Sequence, residues 1–541
     1  MMMFAPTRNR CTTMHAPMSQ RPAHRGSVVV VVVWAVAVAA VLVSATQIVT
    51  FRQAVVGRET LARVQARWAA RAGMEQMVAI MEFHLQNADP DDPMAVVRDM
   101  EEHATGTTAT GSWDIRHFLD GLEWAGPLDE GAKLNINVAT STQLTNIPNM
   151  TPDVVDAIID WRDADDDVQG LGAESDYYSN RTLGYTPRNG NFRSFAELEL
   201  VAGAWPLYVR GEDWNLNGRL DPNENDGNKS FPNDKPDGKL DGGWSKFLTA
   251  TSVQSPMSLS GEDKLPLKGA DPESLTKRLG IDAEQAKALT TYGNQPNAKP
   301  EALIATPLSQ LASGGTGGTG GTGGTGSTGG GSSGGTGGKS GGTGGKSGGA
   351  SSGGTSMSVS ASGASSGGRG STGSSGSGSG GSGSSSAAGG GSSGRSSSGR
   401  SSGGTGGTSA VADLTNEQLR AVLRETTADD FSKPVPGRMN INTVPDSVLK
   451  EVLEIDPRVA DAIIARRRSK PEGITSLADL SDMSGINPTV LTQLATQFDV
   501  TSSVYTVTSR GRAASTGAEV EIEAVVDKSQ LPAKIISYRE Q

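Results

Sequence analysis

The chain has 541 residues, too many for one simple domain, and a formal net charge of −11. That charge excludes a general nucleic-acid binder, because phosphate affinity rests on Lys and Arg. The single cysteine is Cys11 and the last of the five histidines is His117, so residues beyond 117 cannot alone build a disulfide, an ordinary zinc site or a Ser-His or Cys-His nucleophile pair.

Arg8, Arg10, Arg21 and Arg25, with no acidic residue among them, precede an uncharged apolar run from Ser27 to Ala45. The run approaches the roughly 20 residues needed to cross a bilayer and exceeds the about 7–15 of a signal-peptide core. The basic flank places residues 1–26 in the cytoplasm and the rest outside it, as a single-pass inner-membrane protein with a periplasmic C-terminal part. Two readings stay open from this segment alone. One is a permanent anchor. The other is a leader cut between Gly26 and Ser27, leaving the apolar run on the mature chain; the Gly junction resembles type IV pilin and pseudopilin leaders.

The helical pattern continues past the span. Leu61, Val64, Trp68 and Ala72 step by three or four, as do Met74, Met77, Met81 and Leu85, with a phase slip near Gly73. The spacing predicts an apolar stripe and a stop near "NADPDDP". A helix from Ser27 to Gln86 would be roughly 90 Å long. Strand-like runs follow in "SWDIRHFLDGLEWAG" and "AKLNINV". From about 313 to 409 the chain is Gly, Ser and Thr with a few Lys and Arg. Such a composition behaves as a flexible coil with a mean span of roughly 55 Å, read here as a tolerated insertion. The last run, from Val504, alternates as a hairpin.

Two segments repeat. "LNINVATSTQLTNIPNMTPDVVDAIIDWRDADDD" and "MNINTVPDSVLKEVLEIDPRVADAIIARRRSKPEG" share N-I-N, a short hairpin, and D-A-I-I before a basic residue. They resemble helix-hairpin-helix modules. Their hairpins, "NMT" and "EID", lack the glycine that lets backbone approach phosphate, and Asp456 would repel it. Arg466, Arg467 and Arg468 read as a solvated helix face. Structural packing is therefore the reading, and nucleic acid is not an expected partner.

The clearest chemical motif is "DWNLNGRLDPNE". An EF-hand loop takes oxygen ligands at positions 1, 3, 5, 7, 9 and 12 with Gly at 6. Here these are Asp213, Asn215, Asn217, the Arg219 carbonyl, Asp221 and Glu224, with Gly218 at the turn and Leu220 expected to face the core. A second acidic stretch, "DWRDADDDVQGLGAESDYY", concentrates Asp163, Asp165, Asp167, Glu174 and Asp176. Unpaired, these carboxylates repel one another, and a hard cation would relieve that. Calcium is the predicted cofactor, as a staple in place of disulfides.

These pieces together resemble the general secretion pathway protein K family, the largest minor pseudopilin of type II secretion. The residues that carry the resemblance are, in order, Gly26, Asn135–Asn137, Asp160–Asp165, Gly172–Glu174, Tyr177–Tyr178, Phe195–Leu198, Asn440–Thr443 and Arg539–Glu540. Ser27 departs from the commoner Phe or Met, and the Gly/Ser tract and Asp213 loop look like additions. Val31 stands where ordinary pilins carry a glutamate, which fits a subunit with none above it. The resemblance implies an α+β fold: a pilin-like long N-terminal helix packed on an antiparallel sheet, with a large inserted α-helical domain containing helix-hairpin-helix-like repeats. Expected divisions are 1–26 leader, 27–46 transmembrane part, 47–137 helix and first strands, 138–312 inserted helical domain, 313–408 linker, 409–499 its second part and 500–541 closing strands. The implied function is that of a non-enzymatic minor pseudopilin at the pseudopilus tip, initiating assembly and secretion. Its implied partners are the I- and J-type minor pseudopilins, the major pseudopilin and the prepilin peptidase. The rival reading is a membrane-anchored helix-hairpin-helix DNA-binding or competence protein.

Overall fold

The computed structural model describes residues 25–313, 411–453, 455–483 and 485–541. The leader up to residue 24, and the Gly/Ser tract from 314 to 410, lie outside the described residues. Helix α1, Arg25–Gln86, has 62 residues, about 93 Å at 1.5 Å per residue. Its first half is exposed and apolar, and it is long enough to cross a membrane. Its second half packs on a seven-stranded antiparallel sheet. The strands are β1 Thr105–Thr108, β2 Gly111–Leu119, β3 Leu122–Ala125, β4 Leu128–Asp129, β5 Val504–Ala513, β6 Glu519–Asp527 and β7 Lys534–Glu540. Their order is β1-β2-β5-β6-β7, with β3 added to β2 and β4 to β5. The sheet is thus closed by strands from both ends of the chain, and everything between Asp129 and Val504 is an insertion. This is the α+β, pilin-like arrangement that the sequence predicts.

The buried stripe of α1 differs from the expected one. Met74, Met77 and Met81 are buried against Ile115, Tyr505, Val507 and Ile522, but Leu61, Val64 and Trp68 are 57%, 45% and 58% exposed. The face turned to the sheet there is alanine: Ala62, Ala66, Ala69 and Ala70. The cause is a close approach of two backbones. A Cβ on Gly511 would lie 2.0 Å from the Ala66 carbonyl oxygen, so small side chains alone fit between helix and β5.

The Leu134–Asn135 run also leaves the sheet. It pairs in parallel with Leu248–Thr249, and this pairing recurs in Leu265–Pro266 with Thr426–Thr427 and Met439–Asn440 with Phe498–Asp499. Three modules result, 134–249, 265–427 and 439–499, each holding two helical hairpins. Ile136, Leu267 and Ile441 are buried counterparts, as are Leu144, Leu275 and Leu449, then Met150, Ile281 and Ile455. The left-handed position before the last set is Asn149 in the first module and Gly280 in the second, the residue types that tolerate positive φ.

The first and third modules share further wiring. Arg162 donates to the carbonyls of Ile136 and Ala139, 26 and 23 residues back. Arg467 donates to Ile441 and Val444 at the same two separations. Arg467 is therefore a buried brace and not part of a solvated face. Asn137 pairs with the Phe192 backbone and Asn442 with that of Ile474. In the second module Gly293 stands at the arginine's place, and its Cβ would sit 2.2 Å from the Leu267 carbonyl oxygen.

The wiring also shows where the long loops enter. Between Arg162 and Phe192 runs the acidic stretch, far longer than its counterpart between Arg467 and Ile474. The Asp213 loop is a second excursion from the first module, its ends joined by the Glu212 N–H to Asp241 carbonyl bond at 2.7 Å. In sequence, the Gly/Ser tract separates helices Leu308–Ala312 and Asn416–Glu425, the two helices of the second module's second hairpin.

Candidate metal centre

Helix Pro152–Arg162 ends with Trp161 in an aromatic cluster: its ring meets Tyr178 at 5.2 Å and Phe192 at 6.2 Å. Its last turn carries Asp160, and Asp163 follows directly after its end. The following loop then brings in Glu174, at the start of helix Ser175–Ser179. One ligand atom from each of Asp160, Asp163 and Glu174 lies within 4.8 Å of the others. Asp160 is fully buried and Glu174 is 3% exposed. Asp160 Oδ1 accepts from Gln169 N at 3.1 Å and Asp163 Oδ2 from Gln169 Nε2 at 3.1 Å. Asp160 Oδ2, Asp163 Oδ1 and both Glu174 carboxylate oxygens have no partner among the described residues. A Cβ on Gly172 would lie 2.1 Å from Asp160 Oδ2, so backbone closes the cradle where any side chain would intrude.

Burial, then repulsion from Asp160 and Asp163, pushes the Glu174 carboxyl up to about 7. Burial also raises Asp160 and Asp163. Buried, unpaired carboxylates of like sign are costly. A hard divalent cation with oxygen preference removes both the desolvation and the repulsion, and the all-carboxylate donor set suits calcium. Among the residues predicted for this site, Asp165, Asp167 and Asp176 are exposed and stay outside the cluster. Asp165 Oδ1 instead accepts from Asp167 N at 3.0 Å. Sequence reading missed Asp160; its spacing to Asp163 at a helix end was the available signal.

The Asp213 loop is built differently. Asp213 is buried, and its two oxygens accept from Asn217 N and Gly218 N, each at 3.0 Å. Asn215 Nδ2 and Asn217 Nδ2 donate to Asp221 Oδ2 at 2.9 and 3.0 Å. Glu224 accepts from Trp214 N and Asp221 N, each at 3.1 Å. Burial raises Asp213 to about 6 and Glu224 to about 8. The loop docks on the sheet: Thr508 Oγ1 donates to the Asn217 carbonyl at 3.0 Å, Phe118 N to that of Gly218 at 2.7 Å, and Arg510 pairs with Asp221. The Arg219 side chain reaches Asp114 at 2.9 Å. Leu220, expected to face the core, is only half-buried. The carboxylates here are satisfied by the loop's own N–H groups and by Arg510, unlike those around Glu174.

Residues 132–210 match the family model of type II secretion system (T2SS) protein K. The match covers the first module through its second hairpin, including Asp160, Asp163 and Glu174, and stops before the Asp213 loop. No curated protein matches the sequence. Among solved structures, the chain is similar to one of "The Crystal Structure of the GspK-GspI-GspJ complex from enterotoxigenic Escherichia coli Type 2 Secretion System". Identity there is 10%, coverage is 90% of this chain and 99% of that one, and the TM-score is 0.36.

Proposed function

We propose that the protein is a minor pseudopilin of a type II secretion system that sits at the pseudopilus tip and helps initiate its assembly. The observation that carries this reading is the conjunction of a segment that matches the protein K family model with the helix it hangs from. That helix is 62 residues long, apolar and exposed in its first half, and packed on a sheet in its second. Only the bulk of the inserted modules distinguishes this chain from a plain helix-on-sheet subunit, and such bulk at a filament end would obstruct further addition. I- and J-type minor pseudopilins are the proposed neighbours, with the C-terminal part in the periplasm. Calcium held by Asp160, Asp163 and Glu174 would fix the acidic loop over the Trp161 cluster, with the Asp213 loop as a second candidate. The braced, inward Arg162 and Arg467 take two arginines away from the basic surface that the DNA-binding alternative needs.

Processing tests the reading. Intact-mass analysis of the protein from cells with an active prepilin peptidase should show a mature chain starting at Ser27. A chain retaining residues 1–26 there would reduce it to a tethered protein.

A further inference from the structure

The three modules contain six hairpins, so each second helix can be compared with five counterparts. The residue before the helix is Thr151, Asp282, Thr415, Asp456 and Asn487 in five of them. These are the residue types that satisfy the free N–H groups of a helix start. Asp282, Thr415, Asp456 and Asn487 do so through their side chains. The sixth is Trp205, ahead of Pro206–Arg210, with no side-chain cap. Two residues on, the counterparts are Asp153, Glu284, Glu417, Arg458 and Thr489, all polar, while the sixth is Leu207. Trp205 and Leu207 are 67% and 66% exposed. Neither helix capping nor the core accounts for them. An exposed Trp at a position where the same fold elsewhere uses a cap gives up the local stability that a cap supplies.

Trp205 borders a depression that Leu171, Tyr177 and Leu200 also line, and these three are 69%, 46% and 47% exposed. Its rim is acidic. Asp153 Oδ2 would be 3.5 Å from a Cβ on Gly203, and Asp156 Oδ2 accepts from Leu171 N at 2.9 Å. Neither carboxylate is in an ion pair among the described residues. Arg181 is drawn over the Tyr177 ring at 5.3 Å. We propose that Trp205 and Leu207 anchor a docking surface for a polypeptide that presents an apolar side chain flanked by lysine or arginine. Aromatic anchors in a shallow pocket are the usual energetic centre of such contacts, and the acidic rim selects basic flanks and repels anionic lipid.

The test uses the full chain in nanodiscs of neutral phospholipid. The probe is a fluorescein-labelled peptide carrying a leucine–phenylalanine pair between two lysine triplets. Anisotropy should rise saturably, more weakly at high salt. The double variant W205N/L207T should bind at least tenfold less tightly, while L183S, at another exposed leucine, should bind as the parent does. W205N/L207T should melt at or above the parental temperature, because Asn at 205 restores a cap, and L183S should melt at the parental temperature. The proposal is overturned if the parent shows no saturable binding or if W205N/L207T binds equally. It is also overturned if a glutamate-flanked peptide binds as well, or if phosphatidylglycerol vesicles bind through Trp205 in the peptide's place.

Discussion

Substituting Glu174 by Gln should have opposite effects with and without calcium. Three carboxylates crowd within 4.8 Å, and Glu174 is pushed from 4.5 to about 7. The shift corresponds to roughly 3 kcal/mol of cost in keeping Glu174 ionised above pH 7. Relaxation of the loop reduces this, so E174Q without metal should gain about 2 kcal/mol. With 1 mM calcium and a dissociation constant on the order of 10 μM, the parent gains about 2.7 kcal/mol, and the variant, short of one anionic ligand, gains little. Thermal melts in chelator and in calcium read both states. The parent should rise by on the order of 5 °C on adding calcium, E174Q by far less, with the order of stabilities reversed between the two buffers. An equal calcium response in both proteins would refute the assignment of the ion to this cluster. If D213N abolished that response and E174Q did not, the ion would belong to the Asp213 loop.

Gly511→Ala should destabilise the head by about 1–3 kcal/mol, since its Cβ meets α1 backbone that cannot yield; denaturant unfolding should show the loss, and an unchanged midpoint would contradict the close approach. His117, whose Nδ1 lies 2.9 Å from the Gly126 carbonyl oxygen, is lowered by burial from 6.5 to about 4. The unfolded chain then binds the extra proton between those values, so stability is intact above pH 6.5 and falls as pH drops toward 4. His117→Gln should remove about 2 kcal/mol of that fall, measured as the difference between unfolding free energies at pH 7 and pH 4.5; an identical pH profile would contradict it. Replacing residues 314–410 with a short glycine turn should leave the melting temperature within a few degrees, because the tract links two helices of one hairpin and loop length costs little; loss of folding would show that it does more.

The head's longer strands and helix α1 were legible because alternation and length announce themselves. The helix face was not, because hydrophobic weighting favours Leu61, Val64 and Trp68 over the alanines that Gly511 admits. The second module escaped notice because Pro266-Leu267-Lys268 replaces N-I-N, and the tract separates the two helices of its second hairpin in sequence. The metal cluster was half legible. Acidic density marked Asp163 and Glu174, but equally marked Asp165, Asp167 and Asp176, which the loop turns to solvent. Asp160 stood inside a helical pattern, where a buried carboxylate is the exception. The EF-like spacing at Asp213 was legible as a loop, while its docking on Thr508, Phe118 and Arg510 depends on residues distant in sequence.

Co-expression with I- and J-type minor pseudopilins from the same secretion system, followed by size measurement of the detergent-solubilised protein, tests the central claim most directly. The account predicts one stoichiometric ternary species that survives dilution and is lost when Leu61, Val64 and Trp68 on the open face of α1 are changed to glutamate. A protein that runs alone in the presence of both partners would contradict it.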